Sequence, residues 1–151
     1  MTTTNIINLL LLIVALSAFI LSIIELRSYK QKENNKLLSQ LNKRYLKNHD
    51  IQAVVRYLRV NNPTNETPDA YQIDLFLRFF EELSVYLKSG SLKRKDVLSF
   101  FGYYFCRFDK CKRGQDLKSI IKDEDKQLEY LNEYRKLIEP YPKEWLEEDN
   151  D

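Results

Sequence analysis

Residues 6 to 24, IINLLLLIVALSAFILSII, are nineteen consecutive positions without a charge. No other feature limits the possible folds of this chain so strongly. As a helix rising 1.5 Å per residue the run spans about 28 Å, close to the ~30 Å thickness of a bilayer's hydrocarbon core. Its polar members, Asn8, Ser17 and Ser22, are tolerated in a helix whose backbone groups are satisfied internally. A cleaved signal peptide would need a positive leading region, and Met1 to Asn5 carries no charge. The small residues Ser17 and Ala18 also fall inside the run, where cleavage would need them beyond it. The reading is a short tail (1–5) and an uncleaved transmembrane helix (6–24).

Lysine and arginine set the expected orientation. None precedes the run, whereas Arg27, Lys30, Lys32, Lys36, Lys43, Arg44 and Lys47 follow it. The positive-inside rule places the N-terminus outside and the remainder in the cytoplasm, at the inner membrane if the source is bacterial. Arg27, Lys30, Lys32 and Lys36 are then expected against anionic lipid headgroups, at about 1 kcal/mol for each nearby basic residue. From Lys43 onward a helix leaving the surface carries its charges beyond a Debye length.

The overall net charge of +2 conceals this asymmetry. Residues 27–60 hold nine basic and two acidic groups, and residues 61–151 hold fifteen and nineteen. A chain so nearly neutral is no polyanion binder as a whole. Three glycines and four prolines in 151 residues favour long uninterrupted helices over a loop-rich β fold. The fold class expected is all-α: an N-terminal transmembrane helix, then a small cytoplasmic helical bundle built on a central antiparallel helical hairpin.

The periodicity supplies the parts. A basic juxtamembrane region, 25–60, carries Leu37, Leu38, Leu41 and Tyr45 at helical spacing. After a break at KNHD, Ile51, Val54, Val55 and Leu58 extend the apolar face. NNPTNETPD ends that region as a loop, and Thr67 followed by Pro68 suits the cap and first turn of the next helix. The bundle domain is assigned to 67–140. In it Ile73, Phe76, Phe80, Leu83 and Leu87 form one stripe, stopped at Gly90. Val97, Phe101, Tyr104 and Phe108 form a second, widened by Leu98 and Phe105. So short a turn between them makes the two helices antiparallel. Phe79, Tyr86 and Tyr103 lie off the stripes and need another surface. QDLKSII, 115–121, reads as a short helix, and a last helix runs from Asp123 to about Glu139 through Leu128, Leu131, Tyr134 or Arg135, and Ile138. An acidic tail, 141–151, closes the chain, with Trp145 folding back onto the bundle.

Chemistry-bearing motifs are scarce. Cys106 and Cys111 with a single distant histidine, His49, do not make a four-ligand zinc set, so no metal, cofactor or catalytic residue is assigned. The cysteines read as reduced thiols. Glu81 and Glu82 point about 100° apart on a helix and cannot grip one atom together; they read first as solvated glutamates, the alternative being an interhelical salt bridge from one of them to a buried partner such as Arg107 or Arg135. Arg78 and Arg107 are placed to lie over aromatic rings. Lys93, Arg94 and Lys95 cluster at a turn while the aromatics follow core stripes, which argues against a nucleic-acid platform. No phosphate loop, nucleophile elbow or HExxH occurs.

The run LFLRFFEELSVYLKSGSLKRKDVLSFFGYYFCRF, followed by YLNEYRKLIE, resembles a family of small bacterial and phage proteins, the domain of unknown function numbered 4760. The resemblance covers roughly residues 70–140. It rests on Phe80, Glu81, Glu82, Leu83, Gly90, Phe101, Gly102, Arg107 and Phe108, with Arg135 in the later helix. This chain departs from it at Lys93-Arg94-Lys95, where an acidic residue is expected, and at Asp109, where a Trp often stands. The resemblance implies one membrane span and a helical region, and no activity. The function expected is a non-enzymatic interaction or scaffold module at the inner leaflet, binding a protein partner or a second copy and no nucleic acid. The alternative is a membrane-active effector, a toxin or phage protein, whose transmembrane helix is the active element and whose Asn8 joins helices.

Overall fold

The structure, a computed structural model, describes residues 3–59, 66–121 and 124–147, with the side chains of 4, 124–130 and 146–147 left out. The described residues hold helices and connecting turns and no strand. In order they are α1 (Thr3–Lys47), α2 (His49–Leu58), α3 (Ala70–Lys88), α4 (Arg94–Val97), a π-helical segment (Leu98–Gly102), α5 (Tyr103–Lys110), α6 (Lys112–Ile120), α7 (Glu124–Ile138) and α8 (Glu144–Glu147). The chain divides into two units at Leu37.

The first unit is helix from Thr3 on. Its apolar side chains are exposed on every face, from Ile6 to Leu26. Ser17 and Ser22 turn their hydroxyls onto carbonyls one turn back, Ile13 and Val14 for the first and Ala18 for the second, so neither needs an outside partner. Among the described residues, this one helix is long and apolar enough, by length and composition, to cross a membrane.

The second unit holds the core. Leu41 and Tyr45, from the end of α1, are buried with Ile51, Val54, Val55 and Leu58 of α2. The break at KNHD is a capped restart: Asn48 accepts the backbone N–H groups of Asp50 at 3.0 Å and Ile51 at 3.1 Å, satisfying two of the orphan donors that open α2. At α3 the cap is Asp69 and not Thr67. Its carboxylate accepts from the Gln72 N–H at 2.8 Å, and the Gln72 side chain accepts from the Asp69 N–H at 3.2 Å. This reciprocal pair outcompetes a threonine two residues earlier. The end of α3 is as the sequence suggests. Gly90 takes φ +69°, and the Ser91 N–H reaches back to the Tyr86 carbonyl at 3.0 Å, closing the helix with the left-handed residue that glycine permits.

Aromatic rings fill the centre. Phe76 meets Phe108 at 5.5 Å, Phe80 meets Phe105 at 5.0 Å and Phe79 meets Phe101 at 5.2 Å. Tyr45 closes over Phe79 and Phe101 at 5.0 and 5.3 Å, which supplies the surface that Phe79 lacked. The second stripe departs from its expected register. Phe105 is fully buried, whereas Tyr104 is only half-buried and its hydroxyl meets Arg59 at 3.2 Å. The π turn at Leu98–Gly102 is the reason, because its wider i→i+5 winding rotates every later residue relative to a 3.6-residue helix. Tyr134 is buried against Phe105 at 4.4 Å and Phe80 at 5.1 Å. Of the two choices on α7 it is therefore the tyrosine, not Arg135, that joins the core. The start of that helix at Asp123 and the side chain of Leu128 lie outside the described residues, as do the last four residues of the acidic tail, 148–151. Trp145 lies edge-on to Tyr103 at 5.9 Å and over Gly102.

Gly114 has a different duty. A Cβ there would stand 2.2 Å from the Phe108 carbonyl oxygen and 2.6 Å from that of Arg107. Both atoms are backbone and have little room to yield. Gly114→Ala is expected to destabilise the unit by about 2–3 kcal/mol, at the upper end of overpacking costs. A urea melt of the full chain in detergent micelles reads this directly. A midpoint unchanged from the parent would show that α5 and α6 part freely.

Candidate functional site

Two features stand out chemically: the exposed apolar helix with its basic continuation, and a buried acidic hub. On α1 the side chains of Arg27, Lys30, Lys32 and Lys36 are all exposed, and none is in an ion pair with a described residue. They are free to meet an anionic surface. Asn8 is exposed on the same helix, within the uncharged run.

The hub is Asp109, near the end of α5, with its side chain 1% exposed. Arg135 comes from α7, its Nε donating to Oδ2 at 2.9 Å and its second guanidinium nitrogen to Oδ1. From α6 the Lys118 ammonium approaches Oδ1 at 3.3 Å and donates to the backbone carbonyl of Asp109 at 2.8 Å. Lys110 lies 3.3 Å from Oδ2, and the Tyr141 hydroxyl donates to the same oxygen at 3.3 Å. Burial alone would push this carboxyl up, but the Arg135 hydrogen bonds and the charges of Lys118, Arg135 and Lys110 hold it below the ordinary value. Burial and the facing carboxylate together push the Tyr141 phenol far up. Lys118 moves down, because its burial outweighs the attraction of Asp109.

A carboxylate offers about four lone-pair directions, and here five donors compete for them. No lone pair is left for a substrate or a metal, and the group stays ionised. It ties α5, α6, α7 and the segment before α8 together. The chemistry of the hub is structural.

The carboxylates singled out in the sequence have other partners. Glu82 pairs with Arg44 of α1 and accepts from the Tyr86 hydroxyl at 3.3 Å; Glu81 has no ion pair among the described residues. Arg107 donates its Nε to the Leu58 carbonyl at 2.6 Å and Arg135 serves Asp109, so neither reaches Glu81 or Glu82. The reason is competition. The end of α2 and the buried Asp109 each present acceptors cut off from water, whereas Glu82 sits where solvent still reaches it. Arg107 does lie over a ring, that of Tyr103 at 5.8 Å. Arg78 instead takes Asp74, one turn back, at 2.8 Å.

Basic side chains also close three helix ends. Arg113 donates to the carbonyls of Tyr57 at 2.9 Å and Arg59 at 2.7 Å, beside the Arg107 bond to Leu58. Gln115 and Lys118 serve the Asp109 carbonyl at the end of α5. Arg94 donates to Ile138 at 2.7 Å and Pro140 at 3.0 Å, past the end of α7. Each places a donor, mostly a cation, where a helix presents bare carbonyls and the negative end of its dipole. The basic turn LKRK is therefore only partly a free solvent loop.

Cys106 and Cys111 are buried thiols not joined to each other. No group of three or more His, Cys, Asp or Glu side chains able to hold a metal occurs among the described residues. The phenolic oxygens of Tyr45 and Tyr134 have no hydrogen-bond partner among the described residues, and burial drives both phenols well above their ordinary range. No protein-family model, curated protein or solved structure matches this chain.

Proposed function

We propose that this chain is a single-span membrane protein, N-terminus outside, whose cytoplasmic helical bundle is a non-enzymatic docking module at the inner leaflet. The observation that carries the reading is the contrast between its two units. One is a helix apolar and exposed on every face, a state that water disfavours and lipid accepts. The other buries Phe76, Phe79, Phe80, Phe101, Phe105 and Phe108 and surrounds its buried Asp109 with Arg135, Lys118 and Lys110. Exposed basic groups directly after the apolar run, Arg27, Lys30, Lys32 and Lys36, fit contact with anionic headgroups and the orientation given. The pairs Phe76–Phe108, Phe80–Phe105 and Phe79–Phe101 support an antiparallel hairpin at the centre of the bundle. Kinship with the unknown-function family numbered 4760 belongs to the same proposal.

Tethering raises the effective concentration of the bundle for partners held at the same membrane. The partner is a membrane-associated protein or a second copy of this chain. The test has two steps. The full chain should stay with membranes after alkaline carbonate washing, with its C-terminus digested by protease only in inside-out vesicles. Crosslinking followed by affinity purification, with the full chain and residues 28–151 side by side, should recover the same partner on both forms. If the span alone retains partners, or if induced full chain depolarises cells while 28–151 does not, the membrane-active effector reading takes over.

A further inference from the structure

We propose that the hollow between α2 and the lead into α3 binds an amino-acid-sized zwitterion, one carboxylate and one ammonium on a small body. This stands apart from the docking reading. The hollow has a volume of about 300 Å³, the lower end of the range for small-molecule sites. Ala53 forms part of its lining.

The walls are tied together. Gln72, which completes the cap of α3, also donates its Nε2 to Asp50 Oδ1 at 3.3 Å, and Asn48 pins the first turn of α2. The remaining groups are set out as opposite charges. Arg56 lines the hollow from α2, and Glu66 and Thr67 line it from the other side. Arg56 is singular among the arginines of this unit. Arg44, Arg59, Arg78, Arg94, Arg107, Arg113 and Arg135 each make a side-chain hydrogen bond or ion pair. Arg56 makes none among the described residues, and neither does the Glu66 carboxylate.

A lone anion in this hollow would meet Asp50 and Glu66, and a lone cation would meet Arg56. Only a molecule bearing both charges finds a partner for each. Its carboxylate would lie on the Arg56 fork, where planar bidentate bonding is available, with the Thr67 hydroxyl adding a donor. Its ammonium would face Glu66 and the second oxygen of Asp50. His49 lines the rim beside Asp50.

The test uses the full chain in detergent micelles, with backbone amide NMR shifts of Ala53, Arg56 and Glu66 followed against glycine, sodium acetate and methylammonium chloride at matched ionic strength. Glycine is expected to shift these signals saturably, with a Kd of about 1–10 mM for an open polar site. Acetate and methylammonium should each bind at least fivefold more weakly. Arg56→Ala and Glu66→Gln, both at exposed positions, should leave the other amide signals in place and weaken glycine at least tenfold. The proposal is overturned if glycine gives no saturable shift, if acetate matches it, or if either variant binds glycine as the parent does.

Discussion

Replacing Phe80 with alanine costs the second unit about 4 kcal/mol, within the 3–5 kcal/mol range for removing a fully buried phenylalanine. The ring is 1% exposed and meets five others, Tyr45, Phe76, Phe79, Phe105 and Tyr134, at centroid distances from 4.8 to 6.5 Å. These neighbours come from α1, α3, α5 and α7, so no single helix can move in to fill the space. A domain of this size has roughly 5–15 kcal/mol of stability in total, and the variant keeps only part of it. Urea denaturation of the full chain in micelles, followed by near-ultraviolet circular dichroism, measures the loss. Tyr71→Ala, at a side chain 64% exposed, is the control and should stay within about 0.5 kcal/mol of the parent. A Phe80→Ala midpoint as close to the parent as that control would refute the aromatic centre described above.

Asp109→Asn should cost about 3 kcal/mol at neutral pH. Losing one partner of a buried ion pair costs 3–5 kcal/mol, and the lower figure applies because Arg135, Lys118 and Lys110 keep 26%, 21% and 42% of their side-chain surface in solvent. The pH dependence identifies the mechanism. The folded-state pKa of Asp109 lies below its ordinary value of 3.8. The ionised group therefore stabilises the fold fully above that value, and the contribution fades as pH falls through the lower, folded-state pKa. Parent and variant should differ by a constant amount from about pH 5 to 7 and converge below pH 4. A difference that persists unchanged into acid would assign the loss to packing and remove the charge hub from the account.

Much of this was legible in the residues, for reasons of range. The uncharged run, the α3 stripe and the Gly90 stop are set by neighbours one to four positions away, and periodicity reads such neighbours directly. Capping competition is nearly local, yet it misled at Thr67, because Asp69 and Gln72 form a reciprocal pair that a single preferred residue cannot match. The π turn escaped because its signal is tertiary. Nothing in LSFFG marks an extra residue; the altered register shows only in Tyr104, expected along the middle of the stripe, lying half-buried while Phe105, expected at its edge, is fully buried. Asp109 escaped for the same cause. In the sequence it stood out only as a departure from the resemblance, an aspartate where a Trp often stands, while Arg135 and Tyr141, which define its role, lie 26 and 32 positions further on. Gly114 was hidden as well, since what makes it glycine is the carbonyl of another helix.

The carbonyls that close α2 carry a consequence for how the chain is made. Their donors, Arg107 and Arg113, lie 49 to 56 positions downstream. A ten-residue helix is marginal alone in water. While the ribosome is still adding residues 60 to 110, α2 has its aspartate and asparagine at one end and nothing to close the other. Its last turn settles only when the later helices arrive, well after the apolar run has left the exit tunnel. The apolar run is therefore clear of the ribosome before the bundle can assemble, and a nascent chain stalled before Arg113 would still be open at the end of α2.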